Sequence, residues 1–400
     1  MGSLHLFSAA YTIANVPITK SQPVQMLDFS RQFVGIREEL LRAIEEVCES
    51  QRFILGPQVA SFEAAAARAC KTPHAIGCAS GTDAIWLALA AANVGPGDAV
   101  ITTPFSFFAS VSAILRCGAQ ALLADIDPKT FNLSAAAVEE VLHTAAGKTV
   151  KAVLPVHLYG QCADWDGFSK LKQDQGLLLV EDAAQAFGAT WNGTPAGALG
   201  DAAAFSFYPT KNLSAMGDAG LVTTVSDEID DHARVLRAHG MRRRYYHDEV
   251  GWNSRLDSLQ AAILEVKLRY LPEWNEQRRA LAKRYDELFR KAGISGSSVR
   301  EGVVLPFTDP RAGHVFHQYV IRAPRRDELR KYLADRQIGS EIYYPLPLHL
   351  QTSLAGLGYK RGDFPVSEAA ADEVLALPMY AELREDEVET VVEAVAAFYA

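Results

Sequence analysis

The stretch FSFYPTKNLSAMGDAG, from Phe205 to Gly220, sets one lysine after an apolar, β-like segment and before a loop of small residues. Lysines ordinarily lie on solvated faces, because burying the ammonium is costly unless it is paired or discharged. Taken alone, Lys211 reads as a loop lysine facing water. The sequence on either side gives it a different setting.

From Ala75 to about Val225 short aliphatic or β-branched runs alternate with helical patterns, the signature of βαβ units around a largely parallel sheet. Strands are expected at Ala99–Thr103, Ala121–Asp125, Val150–Pro155, Leu177–Glu181, Ala202–Phe207 and Leu221–Thr224. Several are apolar throughout, as strands covered on both faces are. After Asn253 a long helical pattern runs from Arg255 to Tyr270, breaks around Pro272 and resumes from Glu273 to Lys291. Short segments at Gln318–Arg322 and Gly339–Tyr344 then alternate with helices at Arg326–Arg336 and Glu385–Tyr399. The expected fold is α/β: a large domain over 28–254 with a mostly parallel sheet flanked by helices, and a smaller C-terminal α+β domain over 255–400. Residues 1–27 read as an N-terminal extension.

Composition narrows the function. A chain of 400 residues, 49% hydrophobic, buries a large core, and 39 Lys+Arg against 48 Asp+Glu leave a net charge of -9. That balance argues against a general binder of nucleic acid or anionic membranes. The five cysteines are scattered with no CxxC pair, which indicates neither a disulfide framework nor a zinc knuckle and fits a reducing cytoplasm. No metal site is expected. No apolar run nears the roughly 20 residues that span a bilayer, and the N-terminus lacks the basic region of a signal peptide.

Nucleotide fingerprints fail. Gly147-Lys148-Thr149 resembles the end of a P-loop, but the matching glycine is absent because Leu142 stands there, and no GxGxxG follows the first strand. The stretch Cys78-Ala79-Ser80-Gly81-Thr82-Asp83 opens a helical run, where unsatisfied N–H groups and the helix dipole favour an anion; taken alone it reads as an ordinary N-cap. In VEDAAQAFG, Asp182 ends a buried strand, where α/β enzymes bind ligands, and it would keep a cationic ring nitrogen protonated. Lysine, carboxylate and phosphate-binding helix start together meet the needs of pyridoxal phosphate: an aldehyde partner, a pyridinium partner and a phosphate cradle.

The stretches ASGTDA, TTPFSFFAS, PVHLYGQ, VEDAAQAFGA, FSFYPTKNL, YYHDEVGWNSRLDSLQAAIL, FHQYVIR and YYPLPLHLQ stand in one order along the chain. With them, residues from about Leu27 to Tyr399 resemble the DegT/StrS sugar aminotransferases, fold-type I pyridoxal-phosphate enzymes. The resemblance implies Lys211 as the Schiff-base lysine, Asp182 as partner of the ring nitrogen and Gln185 as partner of the phenolic oxygen. It implies Gly81, Thr82 and Ser206 on the phosphate, Phe107 stacked on the ring, and Asn253 reaching the phosphate of a neighbouring subunit in a homodimer. An aromatic face over a cationic ring is favourable in its own right, although Phe105–Phe108 also suits core packing.

The implied reaction has two halves. L-glutamate, the donor by resemblance, displaces Lys211, whose freed amine shuttles a proton as acid and base. The resulting pyridoxamine phosphate then aminates a nucleotide-linked keto-sugar. A branch of the family with histidine at this position performs sugar dehydration, so Lys211 favours transamination; the segment Tyr343-Tyr344-Pro345 resembles enzymes acting on 3-keto-sugars. Another pyridoxal-phosphate reaction, or a non-catalytic regulator on the same fold, shares these residues. Ala219 stands where many members have glycine, which is expected to restrict the nearby backbone. Arg242-Arg243-Arg244 reads as a solvent-facing basic loop or a contact for an anionic substrate, and His157, His317 and His349 as satisfied structural histidines.

Overall fold

The computed structural model describes residues 23–400; of the extension expected over 1–27, residues 1–22 lie outside the described residues. Seven strands form the central sheet: β1 (His74–Cys78), β2 (Ala99–Thr102), β3 (Gln120–Leu123), β4 (Val150–Val153), β5 (Leu178–Asp182), β6 (Ala202–Ser206) and β7 (Gly220–Thr224). Their order is β1-β7-β6-β5-β4-β2-β3, and β7 alone runs against its neighbours. Both faces are covered, as the apolar strands require. Val100, Ala152, Val180 and Val222 point into one core, and Ile101, Val153, Leu179 and Leu221 into another. Alternate residues of each strand therefore serve opposite cores.

Helices cross between the strands: α1 (Phe29–Ser50) and α2 (Pro57–Cys70) precede β1, and α3 (Gly81–Ala91), α4 (Ala109–Arg116), α5 (Ala135–Leu142) and α6 (Trp165–Gln175) follow β1 to β4 in turn. After β7 come α7 (Asp227–Leu236), α8 (Ser258–Leu268) and α9 (Leu271–Lys291). Pro272 sits in the first turn of α9, so the break in the helical pattern is a helix start, where a missing N–H costs least.

The C-terminal region packs a separate core around Tyr285, Tyr319, Leu333 and Val391, with α10 (Arg326–Ala334), α11 (Pro365–Glu373) and α12 (Glu385–Tyr399) around an antiparallel pair, β8 (Tyr319–Arg322) and β9 (Val374–Leu377). The core that holds Ile101, Val153, Leu179 and Leu221 also takes Ala261, Leu264 and Leu271 from α8 and α9, and α9 supplies Tyr285 to the C-terminal core, so the two helices link the regions.

Two local differences from the sequence reading have clear causes. Gly339–Tyr344 forms no strand and makes one bridge, Glu341 to Ala376, because its first residue pairs elsewhere, the Gly339 N–H donating to the Val24 carbonyl at 2.8 Å. His74–Cys78, too short and mixed to stand out, becomes a strand by pairing with β7 across five residues.

Candidate active site

The site assembles at the carboxyl ends of adjacent parallel strands, β5 and β6, where Asp182 pairs in register with Ala204. Asp182 is 4% exposed, and its Oδ2 accepts from Ser110 Oγ at 2.7 Å while Oδ1 accepts from the Ala184 N–H at 3.3 Å. Ser106 Oγ lies 2.9 Å from Ser110 Oγ and extends the chain of hydroxyls. Burial raises the Asp182 pKa above the usual carboxylate value, opposed first by the Ser110 hydrogen bond, then by the Ala184 N–H and the Lys211 charge. Two oxygens with room for four bonds thus keep acceptor capacity.

Lys211 follows in a turn closed by its N–H to the Tyr208 carbonyl at 2.8 Å. The side chain is half-buried. Burial pushes its amine down to about 8, opposed by the charge of Asp182. The solvent-facing loop lysine is therefore set aside: this ammonium sits in a poorly solvated place with a carboxylate as its electrostatic partner.

Ser80 caps α3, its Oγ accepting from the Asp83 N–H at 3.1 Å, and leaves the first-turn N–H groups of Gly81 and Thr82 outside the helix ladder. Gly81 lies against Ser206, the last residue of β6: a Cβ on Gly81 would stand 2.5 Å from Ser206 Cβ. Across the same corner a Cβ on Gly220 would stand 2.2 Å from the Ser80 carbonyl oxygen. The small-residue loop after Lys211 thus serves close approach, and only glycine fits at either point. Ala219 lies outside the left-handed region and is buried, so its methyl introduces no backbone strain there, contrary to expectation.

Gln185 is buried, with Oε1 accepting from the Tyr159 N–H at 2.7 Å and Nε2 donating to Tyr344 Oη at 3.1 Å. One Nε2 hydrogen remains to donate. Phe107 is 59% exposed and leans on Tyr344, ring centroids 6.4 Å apart and tilted by 42°. Asn253 is exposed, and its backbone bridges to Ala238. Among the described residues its side chain makes no hydrogen bond, while its neighbour Ser254 donates to Asp83 Oδ2 at 2.7 Å.

The fold thus brings Gly81 to Ser206 and Asp182 to Lys211, and it points Asn253 outward. Ser110 and Tyr159 are neighbours of the site that the sequence reading did not name, and Tyr344, named there only for the substrate, is a partner of Gln185. All three lie inside motifs quoted for the family, but the bond between Gln185 and Tyr344 spans 159 residues, which no local pattern reveals.

The remaining candidates divide. His157 is fully buried, accepts from the Ala163 N–H at 3.1 Å and so donates through Nε2 to Glu181 at 3.0 Å. His349 is bonded to Glu368 at 2.9 Å, with its Nδ1 buried and lacking a partner among the described residues. Arg242, Arg243 and Arg244 are exposed; Arg242 pairs with Asp231 at 2.6 Å and the other two lie over Tyr246 and Tyr245.

Residues 35–396 match the model of the DegT/DnrJ/EryC1/StrS aminotransferase family, and the chain belongs to that family. It is 50% identical, over 94% of its length and 98% of the relative's, to the "Pleiotropic regulatory protein" of Geobacillus stearothermophilus. It is 40% identical to an Acidithiobacillus ferrooxidans protein named UDP-N-acetyl-3-dehydro-alpha-D-glucosamine 3-aminotransferase, over 93% of this chain and 96% of that one. The solved structure of DesV from S. venezuelae superposes with a TM-score of 0.89 at 40% identity, covering 94% of this chain and 99% of that one. The fold is that of the fold-type I enzymes, and the family's cofactor is pyridoxal phosphate.

The residues fit that cofactor. The close approach of Gly81 to Ser206 sets the unladdered N–H groups at the start of α3 beside the Ser206 hydroxyl, donors suited to phosphate oxygens; Asp182 retains acceptor capacity for a ring N–H, and Lys211 offers an amine lowered to about 8.

Proposed function

We propose that the protein is a pyridoxal-phosphate-dependent aminotransferase that moves an amino group from L-glutamate to a nucleotide-linked keto-sugar, at a 3-keto carbon. The observation that carries this reading is Lys211, its amine lowered to about 8, set against the buried carboxylate of Asp182 at the neighbouring strand end. The relative whose name specifies a 3-aminotransferase of a UDP-sugar supports the substrate class and the carbon.

When bound, the cofactor supplies an electron sink. Asp182 holds a proton on a ring nitrogen placed against it, since an opposite charge favours the charged form. Gln185 donates its spare N–H to an oxygen on the ring. Gly81, Thr82 and Ser206 receive the phosphate, and Phe107 offers an exposed flat face to the ring. With the cofactor bound, Lys211 would be the acid–base group, its amine taking the proton from the α-carbon of the donor amino acid and giving it up again within the site. Asn253, exposed on a segment tied down by Ser254, is assigned to the phosphate of a second copy of the chain. The working form is accordingly a homodimer with two shared sites, in the cytoplasm, with no membrane or nucleic-acid partner. The large domain over 28–254 carries the cofactor and 255–400 forms the smaller one.

Similarity to a protein named as a regulator does not displace this reading, because regulation without chemistry has no use for a lysine whose amine is lowered to about 8 near a buried carboxylate. Absorption spectra of the purified protein with pyridoxal phosphate, before and after L-glutamate, test it. A visible band bleached by glutamate, with no covalent adduct in Lys211→Ala, is the expected result; assays with UDP- and dTDP-linked 3-keto-sugars then identify the acceptor. Absence of an adduct at Lys211 overturns the reading.

A further inference from the structure

The residue next to Lys211 is bonded more heavily than a loop position requires. Asn212 is 5% exposed, and its Nδ2 donates to Asn275 Oδ1 at 2.9 Å and to the Val315 carbonyl at 3.0 Å. Its Oδ1 lies 3.2 Å from His317 Nδ1. With both Nδ2 hydrogens committed to acceptors, Oδ1 is the accepting atom, so His317 Nδ1 carries a proton and donates it. Nε2 is then the bare nitrogen of a neutral ring. The surroundings agree with that tautomer: His317 is 7% exposed, and its pKa lies well below the ordinary histidine value, through burial first and then the charges of Lys211, Arg278 and His314. Arg278 is itself buried, its Nη1 reaching the carbonyls of Phe316, His317 and Met379. An imidazolium has no favourable partner here.

The same loop is anchored again further on. Lys267 Nζ donates to Ser214 Oγ at 3.0 Å, and the Ala215 N–H reaches the Phe207 carbonyl at 2.8 Å. Those anchors reach α8 and the residue after β6; among the described residues the Asn212 network ties the residue beside the lysine to α9 and to the segment preceding β8.

We infer that His317 is a positioning residue for Lys211: as a neutral donor it locks the Asn212 carboxamide, and through it the turn that sets the lysine against Asp182. This rests on Lys211 being the lysine that captures the cofactor. A locked turn keeps the amine out of water; a loosened one admits water and returns it toward ordinary lysine behaviour.

The test is the pH dependence of the rate at which the full-length protein, stripped of cofactor, captures pyridoxal phosphate, followed by visible absorption alongside the melting temperature. In His317→Phe, which fills the space without a donor, the midpoint of the profile is expected to rise, and capture below that midpoint falls about tenfold for each unit of the rise. His317→Gln restores an N–H and is expected to return the midpoint toward the wild type. If His317→Phe melts earlier with an unchanged midpoint, the residue is structural only and the inference falls. If the wild type forms no covalent adduct and Lys211→Ala behaves like it, the assignment of the lysine fails, and this inference with it. Should His317→Phe not fold, nitrogen NMR of the wild type labelled with ¹⁵N-histidine decides. A neutral Nδ1–H ring supports the inference, and an imidazolium or Nε2–H ring overturns it.

Discussion

Glu181 and Asp182 are neighbours on one strand, both buried and both carboxylates, yet they serve opposite ends. Glu181 points to one side of the sheet and is saturated: Oε1 accepts from the N–H groups of Leu199 and Gly200, and Oε2 from Gly197 and His157. Asp182 points to the other side with two donors, Ser110 and the Ala184 N–H. The first has nothing left to offer a ligand. The second keeps acceptor capacity in a poorly solvated place, which marks a binding group better than burial does. Two lysines repeat the lesson. Burial lowers Lys267 to about 8, as it does Lys211, but Lys267 is 6% exposed and committed to Ser214, whereas the half-buried Lys211 makes no side-chain hydrogen bond among the described residues and feels the charge of Asp182.

The comparison is open to breaking at several strengths. The largest effect is expected from Lys211→Ala, which removes the covalent adduct and lowers transamination by about 10²- to 10⁴-fold, the range for losing a positioned acid–base group; single-turnover kinetics with glutamate measures it. Next comes Asp182→Ala, expected to weaken retention of pyridoxal phosphate by about 3–5 kcal/mol, the cost of leaving one member of a buried ion pair alone. Equilibrium dialysis reports that loss, and full retention would refute the assignment of Asp182. Glu181→Gln should do the reverse: stability falls by about 1–3 kcal/mol because buried N–H groups lose an acceptor, while the cofactor spectrum stays unchanged. A shifted spectrum with unaltered melting would erase the distinction between the two carboxylates. Ser110→Ala is the mildest, removing one hydrogen bond to Asp182 at a cost of about 0.5–1.5 kcal/mol in cofactor affinity.

A pH profile sharpens the same contrast without mutation. Only the uncharged amine attacks an aldehyde, so cofactor capture should climb as pH rises through about 8 and level off above it. A profile that climbs only near the ordinary lysine value of 10.5 would show that Lys211 is solvated after all.

Much of this was legible before any coordinates. All six expected strands formed within a residue or two of their places, since apolar runs closed by turn residues leave little choice in a doubly covered sheet. The strand-terminal position of Asp182 and the helix start at Gly81 were legible for the same local reason. Ser110 and Tyr344 were not, because a serine in a helix and a tyrosine before a proline carry no mark of the partner they meet across the fold. The contrast between Glu181 and Asp182 was equally hidden, since the period of the strand says they face opposite ways but not what waits on each side.

The sequence by itself therefore determined the alternation of strands and helices, the order of the site motifs and the family to which they belong, because these follow from local periodicity and residue type. Only the tertiary structure decided which buried carboxylate stays available, that Lys211 sits where its ammonium is poorly solvated, and that His317 reaches the residue beside it. Hydrogen-bond saturation and desolvation are set by groups distant in sequence, and those become neighbours only when the sheet and its helices close around them.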